Sequence, residues 1–140
     1  RPRCYTLAQR LSMEHSTSVQ ISEQAMAHYR QAAQAREVGQ QRAAEQRRQL
    51  GWAVARQAAS LLRQSFGASR VIAFGSLVHG AWFGAHSDID LAVEGVLPAA
   101  FWRAWAALDR IDSTFEIDLV AFESASEQLR AEIMNYGVVL

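Results

Sequence analysis

The sequence predicts an α/β fold: a small mixed β-sheet with helices packed on one face, preceded by a helical N-terminal extension. Three observations carry this. Residues 22–66 contain no proline and are rich in Ala, Gln, Arg and Glu, a composition that favours helix. Three short apolar or alternating runs follow, at Arg70–Phe74, Ile89–Val93 and Phe115–Phe122. Helical patterns separate and follow them, one opening at Pro98 and one at Ser124-Ala125-Ser126-Glu127.

At 140 residues the chain can bury one core but not two full ones. Half of it is hydrophobic, which suits a folded protein. The single cysteine, Cys4, permits no internal disulfide and no cysteine zinc site, so a reducing cytoplasm is the expected setting. No apolar run approaches the roughly 18 residues that span a bilayer, so no membrane segment is expected. Residues 1–12 lack the apolar stretch of a secretory signal. Met13 could be the natural start, with residues 1–12 a tag or upstream translation. The expected organisation is residues 1–20 disordered or tag-derived, 21–49 a helical arm, and 50–140 the domain that carries the chemistry.

The net charge of zero hides an asymmetry. Residues 1–70 carry eleven Arg against four Glu, leaving +7; residues 71–140 carry three Arg against ten acids, leaving −7. The basic helix could grip a polyanion or an acidic partner, or simply present a solvated face. The acidic half suits a metal site.

One unbroken helix over residues 22–66 would run roughly 65 Å, so the segment is expected to break, bend back or project, with Gly39 and Gly51 as the candidate interruptions. After Gly51, the positions Leu50, Val54, Ala58, Leu61, Leu62 and Phe66 recur at helical spacing and should pack on a sheet. Before it the apolar residues are mostly Ala, which fits a surface helix or half of an interface, including one between two copies of the chain. Gly67 ends the helix. In the helix after Pro98, Phe101, Trp105 and Leu108 share a face. The last helix turns Leu129 and Ile133 inward and stops at Gly137. The apolar tail Val138-Val139-Leu140 is expected to start another strand or to meet a partner.

Ser87-Asp88-Ile89-Asp90-Leu91 places two carboxylates at i and i+2, so on one face of a strand. In the next strand Phe115, Ile117 and Leu119 should face inward, leaving Glu116 and Asp118 on the other side. If the strands are neighbours, Asp118 completes a cluster with Asp88 and Asp90; Glu116 is its rival. Like charges about 4 Å apart repel by on the order of 4 kcal/mol at an effective dielectric near 20. Such a cluster calls for a cation, and an all-oxygen set selects a hard one such as Mg²⁺. Two ions roughly 3.5–4 Å apart would clamp the attacking and leaving oxygens of an in-line displacement.

Upstream, Gly75-Ser76 follows a strand and precedes a short helical turn. Glycine lets the backbone approach an anion, and a helix N-terminus attracts one. The pair is a weak signal alone. Joined to the downstream acids it points to transfer of a nucleotide.

Gly75-Ser76, Asp88-Ile89-Asp90 and Asp118 together resemble the DNA polymerase β-like nucleotidyltransferase superfamily, specifically its minimal nucleotidyltransferase branch, the MNT antitoxins that pair with HEPN-domain toxins. The resemblance covers about residues 50–140. It implies that Gly75 and Ser76 bind the triphosphate of ATP and that Asp88, Asp90 and Asp118 are catalytic and hold two Mg²⁺ ions. It further implies transfer of AMP to a tyrosine of a HEPN-domain toxin, with nucleic acid not expected as the direct substrate. Residues 77–87, between the Ser and the first Asp, are one longer than the usual pattern; the extra residue is expected to bulge at Trp82–His86. The competing readings are an antitoxin that neutralises its partner by contact alone, and a transferase for a small molecule such as an antibiotic.

His79 and His86 could touch phosphate or sit in water. Trp82 and Phe83 could stack on a base or fold the loop onto the body. Trp102 and Trp105 read as core or interface. Tyr29, Tyr136 and Cys4 support no functional role.

Overall fold

The computed structural model describes residues 22–140, and the expectations for residues 1–20, including Cys4 and Met13, lie outside them. Internal contacts divide the chain after Glu37. In the first unit the described residues begin α1 (Glu23–Phe66), whose first turn is capped by the Ser22 hydroxyl accepting from the Ala25 N–H at 3.2 Å.

The second unit, Val38–Leu140, holds everything else. Here the reading of Gly39 and Gly51 as interruptions is corrected: of the outcomes expected for this segment a break is ruled out, and both glycines lie inside one continuous helix. Gly39 costs only about 0.5–1 kcal/mol relative to Ala, which the surrounding helix formers outweigh. Gly51 is not a breaker but a contact. A Cβ there would come 3.0 Å from Leu77 Cδ1 and 3.1 Å from Phe83 Cζ, so its bareness lets α1 press on the segment below.

The buried face of α1 is Gly51, Val54, Ala55, Ala58, Ala59 and Leu62. Leu61 and Phe66 pack at its margin, whereas Leu50 is 61% exposed, contrary to the expected stripe.

The remaining elements are β1 (Arg70–Phe74), α2 (Ser76–His79), β2 (Ile89–Glu94), α3 (Pro98–Leu108), β3 (Ile117–Ala121), a 3₁₀ turn (Phe122–Ser124), α4 (Glu127–Tyr136) and β4 (Val138–Val139). The sheet order is β3-β2-β1-β4. β1 runs antiparallel to β2 and β4, and β2 runs parallel to β3, so the sheet is mixed as expected. The apolar tail is a strand, with Val139 opposite Ile72 and Val138 opposite Ala73.

Alternation along the strands sorts the two faces. Val71, Ala73, Ile89, Leu91, Val93, Ile117 and Leu119 join the main core with α1 and with Ala104 and Leu108 of α3. Ile72, Phe74 and Ala92 face the other way, where Ile133 and Leu129 of α4 cover them. Asp90 and Asp118 belong to this second face.

α4 starts later than an opening at Ser124 would place it. The 3₁₀ turn occupies Phe122–Ser124, and the Ser124 hydroxyl donates back to the Ala121 carbonyl at 3.3 Å. The N-cap is instead Ser126, whose hydroxyl accepts from the Leu129 N–H at 3.2 Å. No helix among the described residues is long and apolar enough to cross a membrane.

Candidate active site

Phe74 ends β1, and the chain then turns through Gly75 at φ 70° and ψ −147°, a region that side chains rarely enter. A Cβ on Gly75 would overlap Oδ2 of Asp90. Ser76 then opens α2, which no side chain caps at its N-terminus. The turn and the second acid of β2 therefore occupy adjoining space.

Register explains the placement. Phe74 lies opposite Asp90, and Asp90 lies opposite Asp118. Asp88 sits just before β2, two residues from Asp90, and all three acids are half-buried. From strand order, the row across the sheet runs from the Gly75 turn through Asp90 to Asp118 on the edge strand. At about 4.8 Å between strands it spans roughly 10 Å.

Burial and neighbouring charge act together on the central acid. Asp90 is pushed up to about 6 from an ordinary 3.8, first by burial, then by the charges of Asp118, Asp88 and Glu132. Glu132 projects from α4 and was not legible as a site neighbour in the sequence. Glu116, the rival of Asp118, precedes β3 and is exposed.

Among the described residues, no group of three or more His, Cys, Asp or Glu side chains is placed to hold a metal ion. That is compatible with Mg²⁺, which takes one or two carboxylates and completes its shell with water and substrate phosphate. The donor chemistry fits: oxygens only, with an Asp90 whose raised pKa reflects burial and repulsion that a divalent cation would relieve. Asp88 and Asp90 are the side chains that would offer oxygens to such an ion, with Asp118 on the neighbouring strand.

Two residues that sequence reasoning missed tie α1 to this site. Arg48 donates from Nε to the Leu77 carbonyl at 3.0 Å and from Nη2 to the Val78 carbonyl at 3.3 Å, holding α2 from behind. Arg47 donates to the carbonyls of Gly84 at 2.9 Å and Ser87 at 3.4 Å, the latter immediately before Asp88. Its guanidinium lies 4.3 Å from the Phe115 ring centroid. Ser87 closes the same loop, accepting from Gly84 N–H at 2.9 Å and donating to the Trp82 carbonyl at 3.2 Å. The available signal was spacing: residues 47, 51, 54, 55 and 58 share one helical face.

Trp105 anchors the third acid's strand, donating its indole N–H to the Ile117 carbonyl at 2.9 Å. Trp102 stacks on it but is 70% exposed. Of Trp82 and Phe83, only the second folds the loop onto the body. Phe83 is buried against Phe115, while Trp82 stands in solvent beside His79. A cavity of about 670 Å³ opens beside Val96, Leu97, Phe101 and Trp102, and none of the acids lines it.

The sequence profile of the family Polymerase beta, Nucleotidyltransferase matches residues 56–140. Among solved structures, a toxin-antitoxin crystallised with AMP-PNP is 27% identical, with 61% of this chain and 70% of that one covered and a TM-score of 0.52. A toxin-antitoxin MntA-HpeT mutant is 29% identical, with 61% and 69% covered and a TM-score of 0.50. A second MntA-HpeT mutant, 24% identical with 61% and 70% covered and a TM-score of 0.50, supports the fold alone. No protein of curated function matches the chain. The match over more than half of the sequence, on a sheet that carries its acids beside a glycine-serine turn, means that this chain belongs to the polymerase beta nucleotidyltransferase family.

Proposed function

We propose that the protein transfers AMP from ATP to a tyrosine hydroxyl of a partner protein, a HEPN-domain toxin, and so acts as an antitoxin. The observation that carries this is the row of Gly75, Asp90 and Asp118 across neighbouring strands. The similarity to a toxin-antitoxin crystallised with AMP-PNP supports the partner and the nucleotide. Residues 50–140 would form the transferase domain and residues 21–49 a helical arm, of which Arg47 and Arg48 serve the site directly.

Gly75 and Ser76 would hold the triphosphate at the β1 end of the row, keeping the departing pyrophosphate in line. Asp88 and Asp90 would hold Mg²⁺, whose charge offsets that of the acids and the triphosphate. Asp118 lies on the edge strand, where a bulky acceptor can approach. The acceptor oxygen attacks the α-phosphorus, the bond to the bridging oxygen breaks, and pyrophosphate leaves. Asp118 takes the hydroxyl proton or lowers its pKa.

The test is incubation with ATP, Mg²⁺ and the protein encoded by the neighbouring gene, followed by intact-mass measurement. Whole AMP units should appear on that protein, and Asp88→Asn with Asp90→Asn should abolish them. Equal labelling by the double variant refutes the assignment.

A further inference from the structure

Three rings that the proposed chemistry does not use gather beside the glycine-serine turn. The His79 ring centroid lies 6.1 Å from that of Trp82 and 5.7 Å from that of Tyr136. They come from separate segments: the end of α2, the loop after it, and the end of α4. None belongs to the core. Trp82 is 77% exposed, Tyr136 60%, and His79 is exposed as well. A single ring in water needs no explanation, whereas three brought together form a patch that a ligand can cover.

Their place in the fold says which ligand. The His79 N–H donates to the Gly75 carbonyl at 3.2 Å, so His79 stands one turn from the phosphate end of the site. Tyr136 lies one turn beyond Ile133, which packs in the cluster containing Phe74, the residue before Gly75. The patch is thus continuous with the turn. It also differs from the exposed Trp102, which borders a cavity that none of the three aspartates lines.

We propose that His79, Trp82 and Tyr136 seat the base of the nucleotide whose phosphates lie at Gly75 and Ser76. The seat rests on the nucleotidyl-transfer reading above. Flat rings suit it because every base presents a π-face, and larger purine faces stack better than pyrimidines. Exposed rings also have little to lose structurally, so their removal should leave the fold alone.

The experiment compares binding of ATP and of inorganic tripolyphosphate, each with Mg²⁺, to the wild type and to Trp82→Ala, Tyr136→Ala and Trp82→Phe. Trp82→Ala and Tyr136→Ala should weaken ATP about tenfold or more while leaving tripolyphosphate within about twofold, and Trp82→Phe should recover most of the loss. Unchanged ATP affinity in both alanine variants overturns the seat. So does equal weakening of both ligands, which would place the rings in support of the phosphate turn. A wild type that binds neither ligand overturns the nucleotidyl-transfer reading itself, and the seat with it.

Discussion

The backbone of Gly75 lies directly against the carboxylate of Asp90, so the glycine-serine turn and the central acid share one small space. Gly75→Ala therefore meets two obstacles, a positive φ and an overlap with Asp90 Oδ2. It should cost about 1–3 kcal/mol and remove binding of ATP with Mg²⁺. Gly84→Ala, where the space is open, should be silent in both. Thermal melting with and without ligand separates the two variants, and an active, fully stable Gly75→Ala would contradict the packing.

Asp90 supplies a pH signature. Its folded pKa, about 6, lies above the ordinary 3.8, so the folded state holds more proton between those values. Stability from this group is present at low pH and declines as pH rises through about 6. Because the carboxylate is only half-buried, solvent screening limits the effect at neutral pH to about 1–2 kcal/mol. In EDTA at pH 7–8, Asp90→Asn should melt higher than the wild type, with the gap closing towards pH 4. A variant that melts lower at neutral pH would show that the acid is not under strain.

Arg47 and Arg48 serve different halves of the site. Arg48→Ala frees the carbonyls of Leu77 and Val78 and should raise the KM for ATP. Arg47→Ala frees those of Gly84 and Ser87, ahead of Asp88, and should lower kcat and raise the Mg²⁺ requirement. Each should also cost about 1–3 kcal/mol, since the carbonyls lose a charged donor. Arg48→Lys should rescue only partly, because an ammonium lacks the guanidinium fork. Losses of stability alone, with no split between KM and kcat, would reduce both residues to scaffolding.

The two glycines inside α1 predict opposite outcomes. A methyl group at Gly39 would meet nothing within 4 Å, so Gly39→Ala should stabilise by about 0.5–1 kcal/mol. Gly51→Leu forces atoms into Leu77 and Phe83 and should destabilise by about 1–3 kcal/mol. Denaturant melts of the two variants check the assignment.

Much of this site is local, and for that reason it could be read from the chain. β1 runs from Arg70 to Phe74 as expected, and Asp90 lies in β2, while Asp88 stands just before that strand rather than inside it. Asp118 needed only one further assumption, that its strand neighbours β2, and the parallel register supplies it. What escaped depends on contacts distant in sequence. Gly51 reads as a breaker until Leu77 and Phe83 are seen against it. Arg47 and Arg48 look like members of a basic face until their carbonyl partners, 29 to 40 residues away, are known. Glu132 enters only because α4 folds onto the acid-bearing face. Ser126 displaces Ser124 as the cap because the 3₁₀ turn delays the helix.

The most direct measurement is the melting midpoint of the metal-free protein with Mg²⁺ alone, ATP alone, and both together. If Gly75, Ser76 and the three aspartates form one site, both ligands are needed, and saturation near a hundredfold over Kd adds about 2.7 kcal/mol. Asp88→Asn with Asp90→Asn should show no such rise. An equal rise in that double variant, or none in the wild type, would contradict the account.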